Sequence, residues 1–254
     1  MNVRPEAIVF DLFGTLVFFD DKRLPRVQVD GRSVVMTVPG LQRILAEYAP
    51  GVESDRFLVC LRQVGVELLE YKRRMGIEIP TAVRFERALE RFGIVGAAAV
   101  SAADEMASAH MDSLAAAVVV PPGRRGLLGR LAASYRLALV SNFDHGPTAR
   151  SVLARAGLDV HLESIVISAE EGVRKPAASI FHRACEGLAV APSRCLYVGD
   201  TFAEDVEGAA GAGLGCVWVT LQSEVPLPAL AGLADVDELP EWLEARFSAP
   251  GGAL

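Results

Sequence analysis

Short apolar runs that end in polar residues recur along the chain, and the first is Ala7-Ile8-Val9-Phe10. A run of this length without polar alternation is typical of a strand buried on both faces of a parallel sheet. It ends at Asp11, and Phe13-Gly14-Thr15 follows as a turn. Asp11 is therefore predicted at the carboxyl end of a strand, the sheet edge where ligands bind, although a plain turn or capping role is the alternative.

In the middle of the chain, apolar residues recur first with strand periodicity and then with helical periodicity. Alternating residues on either side of Asp30-Gly31 predict a β-hairpin over residues 26–38, which either overhangs a site near Asp11 or packs outside it. From Pro39 to Val120 apolar residues recur at helical spacing and predict four amphipathic helices. Their charged residues are expected to face solvent, among them Arg73, Arg74, Arg84 and Arg87.

From Pro121 onward, short apolar strands alternate with helices. Strands are predicted at 137–140, 165–167, 195–198 and 216–219, and helices at 127–134, 147–156, 179–186 and 205–212. With the strand before Asp11, this pattern predicts an α/β fold with a doubly wound, parallel, Rossmann-like sheet. We expect a core domain of residues 1–19 and 121–254 with a mostly helical insertion at 20–120, a loop-like stretch at 226–240 and a frayed Gly251-Gly252 tail.

Composition narrows the class of protein. The 254 residues are 51% hydrophobic, with a mean hydropathy of +0.31, which is ample for a core without disulfides. Four cysteines without a C-x-x-C spacing favour free thiols in a reducing compartment. No signal peptide or membrane span is expected, so the predicted location is cytoplasmic, and the net charge of -7 disfavours nucleic acid as a partner. Both a monomer and a homodimer are compatible with the sequence.

Polar residues follow several of the predicted strands. Because the carboxyl ends of parallel strands share one edge, Asp11, Ser141-Asn142 and Asp200 are expected to lie together. Ser141 and Asn142 can donate to an anion, and Lys175 follows the third strand closely enough to neutralise one. Asp200 and Asp205 beside Asp11 would repel one another unless a cation lay among them, and oxygen ligands favour Mg²⁺.

These motifs resemble those of the haloacid dehalogenase superfamily. Asp11 with Thr15 matches the first motif of that family, Ser141 the second, Lys175-Pro176 the third, and Gly199-Asp200 with Asp205 the fourth. The match covers residues 7–16 and about 121–219. The helical insertion, with its predicted hairpin, resembles the family's cap domain of the first type.

The resemblance implies covalent catalysis by Asp11 on a small, anionic substrate, which cap residues would select. It assigns catalysis to Asp11, Thr15, Ser141, Asn142 and Lys175, and substrate binding to Phe13, Gly14, Ser141, Asn142 and Lys175. In the phosphatase branch Mg²⁺ would be held by Asp11, the main-chain carbonyl of Phe13, Asp200 and Asp205. A small phosphorylated metabolite is then the expected substrate.

Phe13 departs from the phosphatase pattern, which places a second Asp at this position as general acid and base. An aromatic residue here resembles the L-2-haloacid dehalogenase branch, whereas Asp200 and Asp205 resemble the metal-using phosphatases. Three interpretations stay open: a Mg²⁺-dependent phosphatase, slow or using Asp144 or His145 as substitute acid, a dehalogenase, and a non-catalytic phosphometabolite binder. Asp144 and His145 could instead cap the helix that follows them.

Overall fold

The structure is a computed structural model that describes residues 3–29 and 32–247. The described chain forms two compact units. The first comprises residues up to 18, 119–143 and those from 149 onward, and the second comprises 19–118 and 144–148. The second unit thus takes in residues 144–148, which the sequence analysis placed in the core domain.

The strands are short. They are β1 (Ala7–Phe10), β2 (Phe18–Phe19), β3 (Arg26–Val29), β4 (Arg32–Val35), β5 (Val118–Val119), β6 (Arg136–Ser141), β7 (Ser164–Ile167), β8 (Cys195–Gly199), β9 (Gly215–Val219) and β10 (Gly232–Leu233).

Helices connect most of these strands. They are α1 (Leu41–Tyr48), α2 (Ser54–Met75), α3 (Thr81–Glu90), α4 (Ala97–Ala117), α5 (Arg124–Ala132), α6 (Gly146–Ala156), α7 (Ser168–Glu171), α8 (Ala178–Gly187), α9 (Gly208–Gly211) and α10 (Leu239–Phe247). No helix within the described residues is long and apolar enough to cross a bilayer.

The first unit is built on a six-stranded parallel sheet in the order β10-β9-β8-β1-β6-β7. All four residues of β1 are fully buried, as the uninterrupted apolar run predicts for a strand covered on both faces. Strand β1 lies between β6 and β8, and the chain builds outward from it in both directions. The predicted doubly wound α/β fold is confirmed, and the carboxyl ends of β1, β6 and β8 lie side by side.

The structure corrects the expectation of a loop at 226–240. This stretch contains β10, which pairs with β9 as the sixth strand, a 3-10 turn at Val236–Glu238 and the start of α10. A two-residue strand shows no periodicity, so it escapes a sequence pattern. The helix expected at 205–212 also differs, because a π-helix at Phe202–Glu207 precedes the short helix α9.

The second unit contains the four predicted helices, α1 to α4, and the antiparallel pair β3 and β4. The turn predicted at Asp30-Gly31 lies outside the described residues, as does the tail at Gly251-Gly252. Apolar residues of α1 to α4 form a core of their own, among them Ile44, Phe57, Phe85 and Met106.

Exposure of the arginines in the second unit corrects one expectation. Arg73, Arg74 and Arg87 are exposed, as predicted, but Arg84 is half-buried. The Nε atom of Arg84 is buried and has no hydrogen-bond partner within the described chain. Arg84 lies three residues after Thr81 and four before Ala88 on α3, so it shares a helix face with these two buried residues.

Candidate active site

Three carboxylates converge at the carboxyl ends of β1 and β8. Asp11 follows β1, Asp200 follows β8, and Asp205 lies in the π-helix that comes next. Each offers one oxygen, and the three oxygens lie within 4.8 Å of one another. Asp11 is 6% exposed and Asp205 1%, so water screens their charges poorly.

Lys175 compensates part of this negative charge. Its Nζ atom donates to Oδ1 of Asp11 at 2.6 Å and to Oδ1 of Asp205 at 2.5 Å. It also donates to the hydroxyl of Tyr197 at 2.8 Å. An ammonium group has three protons, and these three acceptors use all of them. In this arrangement Lys175 has no proton left for the direct contact with phosphoryl oxygens that the resemblance implies.

Tyr197 is a buried member of the site that the sequence analysis missed. Besides accepting from Lys175, its hydroxyl lies 3.0 Å from Oδ1 of Asp205 and 3.2 Å from the carbonyl oxygen of Val140, so it can donate to either. Burial first, and then the charge of Asp205, raise the pKa of Tyr197 well above its ordinary value, so the hydroxyl keeps its proton. The sequence offers no signal for it, since Tyr197 is one aromatic residue within an apolar strand.

Asn142 holds the loop that carries Lys175. Its Oδ1 accepts from the backbone N–H of Lys175 at 2.8 Å, and its Nδ2 donates to the carbonyl of Lys175 at 3.0 Å. Nδ2 also donates to Glu204 at 2.9 Å, and Arg174 donates to the same carboxylate at 3.1 Å. The side chain of Asn142 thus positions Lys175, which differs from its expected role as a donor to an anion. Glu204 was not predicted, although it directly precedes Asp205.

Ser141, the last residue of β6, is 1% exposed. Its Oγ atom is buried and has no hydrogen-bond partner among the residues that the structure describes. An unsatisfied buried hydroxyl costs about 1–3 kcal/mol, so a ligand oxygen that accepted from it would be favoured. Contact between Ser141 and a substrate stays a prediction.

The loop after Asp11 approaches Asp200 closely. Gly14 has a φ of +96°, and a Cβ atom there would collide with the carboxylate of Asp200, so this position requires glycine. Thr15 is fully buried, and its Oγ1 donates to Asp200 at 3.4 Å. The ring of Phe13 stacks on that of Phe143, with centroids 4.6 Å apart. Gly14 and Thr15 thus shape the loop around Asp200, and Phe13 places no polar atom of a side chain there.

Burial and charge perturb the acids of this site. The pKa of Asp11 is raised to about 8, mainly by burial. Lys175 lowers this pKa, whereas the charges of Asp205 and Asp200 raise it further. Burial and the charge of Asp205 also raise the pKa of Asp200. Burial disfavours the charged form of Lys175, but Asp11 and Asp205 outweigh it and raise its pKa. One ammonium group therefore leaves the three carboxylates undercompensated.

The donor set fits a hard cation. Carboxylate oxygens are preferred ligands of Mg²⁺, and three of them within 4.8 Å of one another could share one ion. The pKa values of Asp11 and Asp200 are raised, so their charged forms are disfavoured, and a bound cation would favour those forms. The carbonyl of Phe13 stays a predicted fourth ligand.

Asp144 and His145 belong to the second unit. Asp144 accepts from Lys72 at 3.3 Å, and the Nδ1 atom of His145 accepts from the backbone N–H of Thr148 at 3.3 Å. The contact of His145 lies within the first turn of α6 and matches the capping alternative. Asp144 forms an ion pair instead of capping α6.

Comparison with known proteins gives phosphatases as relatives. The chain is 36% identical over 104 residues to the N-acylneuraminate-9-phosphatase of Mus musculus, which covers 41% of this chain and 42% of the relative. It is 35% identical over 99 residues to the glyceraldehyde 3-phosphate phosphatase of Pyrococcus abyssi, covering 38% and 41%. The alignments span about two fifths of the length of these relatives.

Solved structures show the same fold. A 2-haloacid dehalogenase from Pseudomonas syringae pv. Tomato DC3000 superposes with a TM-score of 0.69 at 23% identity, covering 95% of this chain and 99% of that one. A phosphatase from Thermococcus onnurineus gives a TM-score of 0.59 at 19% identity, covering 94% and 97%. A model of haloacid dehalogenase-like hydrolases matches residues 5–213. Because this match covers most of the chain, the chain belongs to the haloacid dehalogenase-like hydrolases.

Proposed function

We propose that this hydrolase is a Mg²⁺-dependent phosphatase that acts on a small phosphorylated metabolite, with Asp11 as its nucleophile. The single observation that carries the proposal is the meeting of Asp11, Asp200 and Asp205 with one lysine among them. Two further acids beside a nucleophile would repel an anionic substrate unless a cation joined them. The phosphatase names of the relatives support the same activity.

In this proposal, a carboxylate oxygen of Asp11 attacks the phosphorus atom of the ester. The bond from phosphorus to the leaving oxygen breaks, and the leaving oxygen takes a proton from solvent water, because Phe13 has none to donate. Water then attacks phosphorus in the aspartyl phosphate, which releases inorganic phosphate and regenerates Asp11. When bound, Mg²⁺ would supply positive charge that lowers the repulsion between carboxylate and phosphate.

The remaining residues hold the reacting groups. Ser141, with its unpartnered buried hydroxyl, donates to a phosphoryl oxygen. Lys175 holds Asp11 in place through the 2.6 Å contact, and its charge opposes part of the rise in the pKa of Asp11 that burial causes. Asn142 and Tyr197 position Lys175, and Thr15 positions Asp200. None of these groups other than Lys175 carries positive charge, so the cation remains necessary for charge balance.

Phe13 makes the leaving-group step slow. A phenyl ring cannot donate a proton, and general acid–base catalysis commonly contributes about 10²–10⁴ in rate. Good leaving groups, which depart without protonation, should therefore be hydrolysed best.

A 2-haloacid dehalogenase is the second candidate, and Phe13 is the observation that favours it. A halide leaves without a proton, so the missing acid would carry no penalty. Asp200 and Asp205 argue against it, because they add negative charge beside an anionic haloacid. A phosphometabolite binder without turnover is the third candidate.

A substrate screen separates the three candidates. Phosphate esters with good and poor leaving groups, and 2-haloacids, would each be assayed with Mg²⁺ and with EDTA, using wild type and Asp11→Asn. We expect phosphate release that requires Mg²⁺, favours good leaving groups and is lost in Asp11→Asn, while circular dichroism shows an intact fold. Halide release that is indifferent to EDTA would establish the dehalogenase, and binding of phosphate esters without turnover would establish the third candidate.

A further inference from the structure

Two adjoining cavities lie within the second unit. The larger, of about 340 Å³, lies between residues 34–38 and helices α2 and α3, with His110 of α4 also in its wall. The smaller, of about 190 Å³, shares Gly65, Leu69 and Arg84 with it. The larger cavity falls within the range of about 300–1,000 Å³ that is usual for small-molecule sites.

Arg84 is a cation without a counter-ion in this wall. Its Nε atom is buried with no hydrogen-bond partner, and no carboxylate in the described part of the chain forms an ion pair with its guanidinium. The guanidinium lies over the ring of Phe85, 4.9 Å from the centroid. Burial lowers the pKa of Arg84, an effect that the more distant charge of Asp144 partly opposes. Arg84 is half-buried, and a cation that loses part of its hydration without gaining a carboxylate partner would be stabilised by a bound anion.

The other ionisable groups near the two cavities are paired, neutral or exposed, so Arg84 is the residue best placed to pair with a bound anion. Lys72, in the smaller cavity, is neutralised by Glu78 at 2.6 Å and Asp144 at 3.3 Å. His110 is bonded to Thr37, and burial, with the charge of Arg84, lowers its pKa to about 3, so the ring is neutral. The larger cavity has an exposed second arginine, Arg62, and its described lining contains no carboxylate.

The rest of the larger cavity is apolar. Its lining includes Met36, Val38, Leu58, Leu61, Val66 and Leu69. An occupant that matches these walls has an apolar body and one negatively charged group, and a planar guanidinium pairs best with a carboxylate.

We propose that the larger cavity binds an organic carboxylate, with Arg84 pairing the carboxylate and the apolar lining covering the carbon chain. This binding site lies beyond the phosphatase activity proposed above. The carboxylate could belong to a substrate or to a separate ligand, and the kinetic arm of the test distinguishes these sources.

The direct test is a titration of the full-length protein with hexanoate and with hexanamide, its uncharged counterpart, followed by calorimetry or NMR. We expect hexanoate to bind at least about tenfold more tightly than hexanamide, since only hexanoate forms a charge-assisted pair with Arg84. Arg84→Met keeps the apolar stem without the charge and should abolish this preference, whereas Arg84→Lys should keep part of it. Arg87→Met, an exposed position on the same helix, is the control and should bind like wild type.

Equal affinity for hexanoate and hexanamide in wild type, no saturation by either, or an unchanged preference in Arg84→Met would overturn the proposal. If Arg84→Met does not fold, the wild-type comparison and Arg84→Lys still decide it.

The kinetic arm rests on the proposed phosphatase. If the carboxylate is part of the substrate, hexanoate should compete with phosphate esters that carry a carboxylate, and Arg84→Met should raise their KM about tenfold or more. If hexanoate binds without competing, the site serves a separate ligand. A failure of all phosphatase activity leaves the titration, and hence this inference, intact.

Discussion

Phe13 and Asp11 are two residues apart, and their side chains have different surroundings. The carboxylate of Asp11 contacts Lys175, while the ring of Phe13 stacks on Phe143 at 4.6 Å. A nucleophile is thus in place without a proton donor at the usual position of the family. The rate of any phosphatase reaction should therefore depend on this side chain as well as on the carboxylates.

Replacing Phe13 by Asp tests this dependence. We expect Phe13→Asp to increase hydrolysis of phosphate esters with poor leaving groups by about tenfold or more, because it adds the missing acid. The gain stays below the full effect, since a pocket shaped by a phenyl ring will not place a carboxyl group ideally. The assay compares initial rates with Mg²⁺ in wild type and variant.

Phe13→Leu is the matched control for that experiment. It removes the aromatic stacking with Phe143, worth about 0.5–1.5 kcal/mol, without adding an acid, and should give no gain in rate. A fast wild-type enzyme that loses activity in Phe13→Asp would show that another residue supplies the proton. Haloacid turnover, if present, should fall in Phe13→Asp because a carboxylate there repels the substrate.

Individual site residues differ in how well sequence predicts them. Asp11 and Asp200 follow apolar strands and Ser141 ends one, and parallel topology brings such positions together. Tyr197 lies inside β8, and its three polar contacts arise only from packing. Arg84 is half-buried because of how helix α3 packs, which the amino-acid composition does not show.

Among the elements, two loops are joined at the site. The loop after β6 carries Asn142, the loop after α7 carries Lys175, and the two hydrogen bonds between them fix both backbone groups of Lys175. Glu204 in the π-helix contacts Asn142 as well. Three elements from distant parts of the chain therefore depend on one side-chain amide.

Changing Asn142 should loosen this junction. We expect Asn142→Ala to lower the rate and to destabilise the protein by about 1–3 kcal/mol, since it leaves the buried N–H and carbonyl of Lys175 without partners. Asn142→Asp keeps the acceptor for the N–H of Lys175 but loses the donor and faces Glu204, so its loss in stability should come mainly from charge repulsion. Denaturant unfolding at two pH values separates the two variants.

An unfolding free energy for Asn142→Ala equal to that of wild type would contradict the positioning role. Recovery of stability in Asn142→Asp near pH 4, where the introduced carboxyl gains a proton, is the expected sign of repulsion.

Strands and helices of ordinary length follow from their apolar periods. Strand β1 and helices α1 to α4 lie where the pattern predicts them. Strand β10 has two residues and is defined by its pairing with β9. It therefore depends on tertiary structure and not on a local sequence pattern. The π-helix at Phe202–Glu207 likewise replaces part of a predicted α-helix next to Asp205.

For the molecule as a whole, the raised pKa values of the site carboxyls should make the free energy of unfolding depend on pH. In the folded protein the pKa of Asp11 is about 8, whereas in the unfolded chain it has the ordinary value of about 4. Between these two pKa values the folded state binds more protons than the unfolded state, so stability falls as pH rises from about 4 to about 8. Asp200, whose pKa is also raised, contributes in the same direction.

Thermal unfolding across this pH range gives a prediction for Mg²⁺. In EDTA, Tm of wild type should fall from pH 5 to pH 8 more steeply than Tm of Asp11→Asn. Mg²⁺ binds the ionised carboxylates of the folded state, so its stabilising effect should grow over the same interval. An effect of Mg²⁺ that is equal at pH 5 and pH 8, or equal slopes for the two proteins, would contradict this assignment of the charges.

The fate of labelled water oxygen tests the central claim, hydrolysis at phosphorus rather than at carbon, most directly. The protein would turn over a phosphate ester with Mg²⁺ in water enriched in heavy oxygen, and the products and the peptide containing Asp11 would be weighed by mass spectrometry. Water that attacks phosphorus in an aspartyl phosphate puts the label into phosphate and leaves Asp11 unlabelled, as we predict. Label in the carboxyl group of Asp11 after turnover of a 2-haloacid, with no phosphate released from any ester, would contradict the account and establish an alkyl ester at Asp11 instead.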